Sequence, residues 1–525
     1  MKTAARFLTV VSSLLVSSTA MSQNLDRAIT DYKAGKYEDS ASGFYAVLQF
    51  ADEPNVVVEA QYGLAKSFEK LKLPLAAQRY YEAIVKEGSD HPYFAEAVEG
   101  LLDAADGLDD DFKIPPVIDA MYEPNANALA KMKPETLQRV HFIIGRNSFQ
   151  RGKLKDAADF LGTVKSGNPA YARAQYLLGL IASGVGRSDG ASPRYETAIE
   201  HFENVRDSIG AQNENPKAQE LYDLATLALG RLYYEQAYAL EDGDPRRAKY
   251  LSLAVREYQI VPRFSSAWSD ALFERAWAHT VANEYGKALG SLHSLSAPYF
   301  ADSYYPEADI LQAIIYYYNC QWDRVNRSLD ETKARYQPIV AQLETMLDLN
   351  YDFEEWYALL SKSHQAGSSH TDTTLLPWTI ANAITRDSRF ARFEGYLREI
   401  EREVAYFDKS PAFNRSEMGR QLSEEFFGVR GAFLQLLGKL VKTKLNDIRT
   451  ELGGITTRVS IVSLETKTAE AEWLEQGREI GGKPRGVLPR PFIPDDTFQF
   501  WWFRDEYWVD ELGFYEYTVK TECFE

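Results

Sequence analysis

The sequence predicts an all-α fold: an array of stacked helical hairpins, then long helices packed like an antiparallel coiled coil, then a small aromatic β-hairpin. Three observations predict it. Paired amphipathic runs, with small and aromatic residues at recurring places, extend from about residue 24 to 338. After Pro338 the apolar spacing becomes a sustained four-three alternation, the seam of long packed helices. The final stretch, TFQFWWFRDEYWVDELGFYEYTVKTECFE, alternates aromatic and polar residues as a half-buried strand does.

The array is clearest at Glu135 to Gly167, where two amphipathic runs meet at Gly152-Lys153-Leu154. Gly145 on the first run and Ala157 on the second are small enough for two antiparallel helices to approach closely, while Phe149 and Leu161 fill the space between them. Pro169 stands where a new helix must begin. The same order recurs at Gly35-Lys36-Tyr37 with Phe44 and Val47, and at Leu64-Ala65 with Ala77, Tyr81 and Ile84. It returns at Leu178-Gly179 with Ala198, Phe202 and Val205, and at Leu229-Gly230 with Ala254 and Tyr258. The last two members are Ala276 with Ala288 and Leu292, and Ala313 with Val325 and Leu329; in the last, Cys320 stands in the usual glycine position. In order and spacing these runs resemble tetratricopeptide (TPR) repeats. The resemblance implies a superhelical solenoid of hairpins that bury their apolar faces only by stacking on neighbours.

Ahead of the array, Lys2 and Arg6 precede the apolar run Phe7 to Val16 and the small residues Ser17 to Ser22. That is the pattern of a secretory signal peptide, with a mature chain starting near Gln23 and a soluble periplasmic location. The formal net charge of −18 disfavours nucleic acid and anionic lipid as main partners. No other stretch is apolar over the ~20 residues that a spanning helix needs. Residues 109–134, with Asp109-Asp110-Asp111, Pro115-Pro116, Pro124 and Pro134, read as a solvated Pro/Asp-rich spacer containing at most one short helix. The predicted division is a signal peptide at 1–22, first repeats at 23–108, the spacer at 109–134 and the main array at 135–338. A long-helix module follows at 339–480, then a Pro/Gly connector and aromatic hairpin at 481–525.

Within the long-helix module three apolar runs stand out: Ile339 to Tyr357, Phe393 to Phe407 and Val441 to Trp473. Gly453-Gly454 in the third predicts either a kink or the close approach of another backbone. The aromatic end carries three of the nine tryptophans, and as a marginal hairpin it needs a docking surface; the alternative is an exposed recognition surface. Only two cysteines occur, Cys320 and Cys523, and an oxidising compartment predicts that they pair, the alternative being two buried thiols. The Tyr-Trp-Val-Asp-Glu-Leu-Gly-Phe-Tyr tail with its terminal cysteine is similar to the C-termini of delta-proteobacterial periplasmic TPR proteins of the adventurous gliding motility type. That resemblance implies a non-catalytic component of an envelope-spanning machine.

Motifs of catalysis are weak. Gly477 to Lys483 fits a phosphate loop only as far as the lysine, because Pro484 replaces the Ser/Thr that binds magnesium. His364 and His370 lack a metal spacing, and neither a zinc-protease nor a serine-hydrolase motif occurs. No cofactor, metal or catalytic residue is predicted. The candidate site is instead a partner groove on the first helices: Arg139, Phe142, Arg146, Phe149, Arg173, Tyr176, Arg231, Tyr234, Phe273 and Trp277. Arginine grips carboxylates bidentately, so these residues predict an acidic protein or peptide partner, the alternative being ion pairs with acids on neighbouring helices. On the first reading Arg146→Ala weakens binding and leaves melting nearly unchanged. The function expected is a scaffold for protein partners in the cell envelope, in gliding motility, outer-membrane assembly or division. A second class, an envelope carbohydrate hydrolase, requires two carboxylates facing each other across a cleft.

Overall fold

Tight turns between helices need a residue in the left-handed region, and the repeats supply one at each turn. Gly35 and Gly152 hold φ of +77° and +74°, and Lys72, Asn283 and Cys320 take the same place with φ of +57°, +58° and +55°. The computed structural model describes residues 23–110, 112–185, 192–477, 493 and 495–523. The signal peptide, the Pro/Gly connector up to Phe492 and the phosphate-loop resemblance lie outside them.

The helices in order are α1 (23–33), α2 (Tyr37–Phe50), α3 (Pro54–Lys70), α4 (Pro74–Glu87), α5 (Phe94–Leu108), α6 (Ile114–Tyr122), α7 (Ala126–Leu129), α8 (Pro134–Gln150), α9 (Leu154–Leu161) and α10 (Tyr171–Ser183). They continue with α11 (Tyr195–Ile209), α12 (Pro216–Tyr238), α13 (Pro245–Ile260), α14 (Trp268–Val281), α15 (Tyr285–Leu295), α16 (Pro306–Tyr318) and α17 (Trp322–Leu347). Last come α18 (Phe353–Ala366), α19 (Trp378–Thr385), α20 (Ser388–Lys409) and α21 (Glu417–Glu475). Among the described residues no helix is long and apolar enough to cross a membrane. The chain forms two units. Of the described residues, the first takes those within 1–181, 185–191 and 388–437, and the second those within 182–184, 192–387 and 438–525. The segment 339–480, expected as one module, is therefore divided between them.

In the first unit, glycines on one helix admit a large side chain from the helix before or after it. A Cβ at Gly63 would stand 2.4 Å from the Phe44 ring, one at Gly100 2.5 Å from Tyr81, and one at Gly145 2.7 Å from Leu161. Phe44, Tyr81 and Leu161 are correspondingly buried. The expected spacer is a correction. It holds α6 and α7, whose Ile114, Ile118, Met121 and Leu129 are buried. Pro115 and Pro116 sit in the first turn of α6, where a missing N–H costs nothing. Asp110 is not solvated; it is fully buried and accepts the backbone N–H groups of Phe112, Lys113 and Ile114 at 3.0, 2.7 and 3.3 Å.

The rest of this unit comes from far along the chain. Contacts Phe393–Phe433, Glu401–Arg430 and Phe407–Phe426 run in opposite sequence directions, so α20 and the start of α21 pair antiparallel. They cover the repeats: Phe407 and Phe413 meet Phe68, and Phe393, Tyr396 and Phe433 surround Phe112. Glu403 on α20 is fully buried and accepts from the N–H groups of Leu75 at 2.6 Å and Ala76 at 3.0 Å. It thereby caps α4, whose own preceding residue, Leu73, offers no side-chain acceptor.

The second unit repeats the device, with a Cβ at Gly230 2.5 Å from the Tyr258 ring. Ala198, Phe202, Val205, Ala254, Ala288, Leu292, Val325 and Leu329, at the recurring positions, are all buried. The apolar run from Ile339 to Tyr357 is two helices, because α17 ends at Leu347 and Asp352 with Glu355 forms a capping box that starts α18. The later part of α21 lies along α18 and then along the starts of α16 and α17. Lys442 sits over the Trp356 ring, Arg458 pairs with Glu307, Glu470 accepts from Asn326, and Trp473 meets Trp322. Backbone approach occurs at Gly438, where a Cβ would stand 1.6 Å from the Phe353 carbonyl. It does not occur at Gly453 or Gly454, which lie within the unbroken α21 and have open space where a Cβ would go. Gly453→Ala and Gly454→Ala are each expected to stabilise the protein by about 0.5–1 kcal/mol, read as a higher melting temperature. A lower value would show that these glycines serve a conformation other than the straight helix.

The C-terminal hairpin is a second correction, since no β-strand occurs among the described residues. Residues 495–523 run instead as turns and extended chain over α14 to α17. Alternation does mark an extended backbone here, but its hydrogen bonds go to helices and their turns. Tyr517 N–H donates to Gly286 O at 3.0 Å, Glu522 N–H to Asn319 O at 2.9 Å and Gly513 N–H to Ser294 Oγ at 2.9 Å. Arg275 and Gln321 donate to the carbonyls of Gly513 and Lys520, each at 2.7 Å. Leu512 and Tyr515 are buried against Trp268 and Leu272. His293 lies among Phe503, Tyr507, Tyr515 and Tyr517, and burial pushes its imidazole down to about 4. Cys320 and Cys523 are joined, with their Cα atoms 5.1 Å apart.

Candidate functional site

Four of the expected groove residues meet on α8 and α10 in the first unit. The Phe142 ring is buried, with the Arg173 guanidinium 4.7 Å and the Arg146 guanidinium 5.5 Å from its centroid. Arg139 reaches Asp103 at 2.8 Å and Asp106 at 2.9 Å, and Arg173 reaches the other Asp106 oxygen at 3.0 Å. Burial alone would raise the Asp106 carboxyl, but Arg173 and Arg139 together hold it below its usual range. Phe149 and Tyr176 are half-buried nearby on the same helices.

Arg146 is placed differently. It donates to the backbone carbonyl of Asp110 at 2.7 Å, the residue that caps α6. Arg146→Ala is therefore expected to lower the stability of this unit by about 1–3 kcal/mol, seen as a lower urea midpoint. This is the opposite of the small effect that its position on a groove stripe predicts. Arg173 is the more accessible of these two arginines, 36% exposed against 17% for Arg139.

The remaining residues belong to the second unit. Arg231 grips Glu274 through Nε and Nη2 at 2.9 and 2.5 Å. Burial pushes the Glu274 carboxyl above its ordinary range, and Arg231 opposes that rise. Tyr234 stacks on Tyr238, with ring centroids 6.3 Å apart. Phe273 and Trp277 pack against a core that also contains Ile455, Val459 and Val462 of α21. Phe273 and Trp277 of the expected stripe are thus partly buried within the chain's own core. Asp103, Asp106 and Glu274, the acids that engage the arginines, were not picked out in the sequence, although Asp103 and Asp106 share a face at i, i+3.

The arrangement can hold carboxylates by charge-assisted hydrogen bonds. Several buried carboxylates are raised by burial, but they have structural partners: Asp110 and Glu403 bond the first turns of α6 and α4, and Asp309 pairs with Arg335. His370 donates from Nε2 to the Leu376 carbonyl at 3.1 Å, and His364 lies against Trp378. Among the described residues no group of three His, Cys, Asp or Glu is arranged to hold a metal ion.

No model of a known protein family matches the chain, and no curated protein matches it. Among solved structures, the apo form of RapI is 11% identical, with a TM-score of 0.34, over 74% of this chain and 99% of that one. Yeast Tom70 is 13% identical, with a TM-score of 0.21, over 87% of this chain and 99% of that one. The helical-hairpin repeat fold rests on the hairpins themselves, their left-handed turn residues and the glycines that admit Phe44, Tyr81, Leu161 and Tyr258.

Proposed function

We propose that this chain is a non-catalytic scaffold of the cell envelope that holds an acidic segment of a protein partner on its first unit. The observation that supports this most is the Arg139–Asp106–Arg173 chain of ion pairs over the buried Phe142 ring. Asp106 keeps two guanidinium groups oriented and partly desolvated, so a partner carboxylate exchanging with it meets donors already in place. The charged, apolar and small-residue order of residues 1–22 supports a periplasmic location, and the resemblance of the tail supports a role in gliding motility. Outer-membrane assembly and division scaffolds share the same requirements.

The test is a photo-crosslinking amino acid at Tyr176 in the full-length chain, expressed in its own cells, with Arg173→Glu as the comparison. A defined crosslinked protein is expected in the periplasmic fraction, reduced about tenfold by Arg173→Glu, which is ~1.4 kcal/mol. Equal crosslinking in both chains, or a precursor retained in the cytoplasm with an intact Met1, overturns the reading.

A further inference from the structure

A second basic site lies in the first unit, away from Phe142. The exposed face of α20 carries Arg392, Arg398 and Arg402, with Gly395 between them, at helical steps that put all four on one side. They line a cavity of about 640 Å³ together with Lys72, Gly107 and Asp109. No heavy atom lies within 4 Å of where a Cβ would stand at Gly107 or Gly395, so the cavity is open at both places.

Its charges are unevenly committed. Arg402 is fixed, donating to the Lys72 carbonyl at 2.6 Å and to Glu399 at 2.9 Å. The Lys72 ammonium and the Arg398 guanidinium make no hydrogen bond or ion pair among the described residues. Lys72 holds a left-handed φ of +57°, its backbone carbonyl accepts from Arg402, and it lines the cavity. Four cations face two carboxylates, Asp109 and Glu399, which leaves two net positive charges in a chain whose formal charge is −18. Pro74, Leu108 and Ala391 supply apolar wall.

We propose that this cavity binds a phosphate monoester: a dianionic phosphate held by Arg398, Lys72 and Arg392, with its organic body against Pro74 and Leu108. The two net charges match the dianion, planar guanidinium forks suit its oxygens, and the volume accommodates a small organic group. A free metabolite and a lipid headgroup both present this chemistry.

Titration calorimetry on the full mature chain at low salt would use phenyl phosphate as the soluble probe. Vesicles of phosphatidylcholine with and without phosphatidic acid form the second arm. Binding of phenyl phosphate is expected, weakened at least tenfold by Arg398→Glu and by Lys72→Glu, and less than twofold by Arg420→Glu, an exposed arginine outside the cavity. Binding of phosphatidic acid vesicles alone, lost in Arg398→Glu, assigns the phosphate to a lipid. The proposal is overturned if neither probe binds at millimolar phosphate, or if Arg398→Glu binds as the unaltered chain does. It is equally overturned if a glutamate-rich peptide binds in an Arg398-dependent way while both phosphate probes fail. Circular dichroism of each variant distinguishes lost binding from lost fold.

Discussion

Gly290→Leu is expected to unseat the whole C-terminal tail. A Cβ at Gly290 would stand 1.7 Å from the Tyr515 carbonyl oxygen and 2.4 Å from its carbon, and at Gly286, one turn earlier, 2.3 Å from the Tyr517 oxygen. These are backbone atoms, pinned by hydrogen bonds to Gly286 and by burial of Tyr515, so the contact cannot be relieved by a rotamer change. Unseating exposes Leu512 and Tyr515, at about 1.5–3 kcal/mol each, and leaves Arg275 without its carbonyl acceptor. A combined loss of roughly 3–6 kcal/mol follows, along with rapid proteolysis near Val509 and a red-shifted emission from Trp501 and Trp508. Gly395→Ala, in open space, should do none of this. A leucine at 290 with unchanged protease resistance and emission would sink the account.

The cysteine pair sharpens that experiment. It closes a loop across a sequence separation of 203, for which the chain-entropy model gives on the order of 5 kcal/mol. In the unaltered protein, peptide mapping without reductant should recover Cys320 linked to Cys523. Reduction should leave the tail seated through Gly286, Ser294 and Gln321, whereas in Gly290→Leu it should release the tail entirely. Recovery of two free thiols from the oxidised protein would refute the linkage and leave the glycine argument standing.

Glu403 carries the second large effect. Burial pushes its carboxyl up to about 8, against the two backbone N–H groups that favour the charged form. The folded chain therefore holds this proton more tightly than the unfolded chain, whose carboxyl titrates near 4.5. Between these values the native state binds more protons, so the contribution is complete below about 4.5 and is lost as pH rises through about 8. Stability of the first unit should fall across that window, and Glu403→Gln should flatten the fall. Glu403→Ala leaves the Leu75 and Ala76 N–H groups buried without an acceptor, at about 2–5 kcal/mol in total. Urea midpoints at pH 5 and pH 8 check both. Parallel pH profiles for the unaltered chain and Glu403→Gln would mean that the carboxyl titrates normally.

The hairpins were legible because their signal is local. Ala77 with Tyr81 and Ile84, or Ala157 with Leu161 and Val164, repeat at helical steps, and Cys320 stood where a turn needs a left-handed residue. What covers an apolar face was not legible. Periodicity shows that Phe68 needs cover, but not that Phe407 and Phe413 supply it from more than three hundred residues away. The spacer was misread because prolines in a first helical turn look like loop punctuation, and only the burial of Asp110 shows that they open a helix. The tail was misread because alternation marks extended backbone without saying what bonds it. Arg146 looked like a groove residue by spacing, and its acceptor, a backbone carbonyl, leaves no trace in a sequence.

One feature of the first unit bears on time. Its repeats are complete by residue 181, but the helix pair that covers them begins at Ser388. At 5–20 residues per second, synthesis separates the two by on the order of ten seconds or more. Throughout that interval Phe68 and Phe112 lack their cover, and the start of α4 lacks the carboxylate of Glu403. The early repeats are thus a waiting surface, and a holding chaperone that binds exposed aromatics would be needed until residue 437 is free. A chain truncated at 387 should accordingly stay bound to such a chaperone, whereas the full-length chain should leave it.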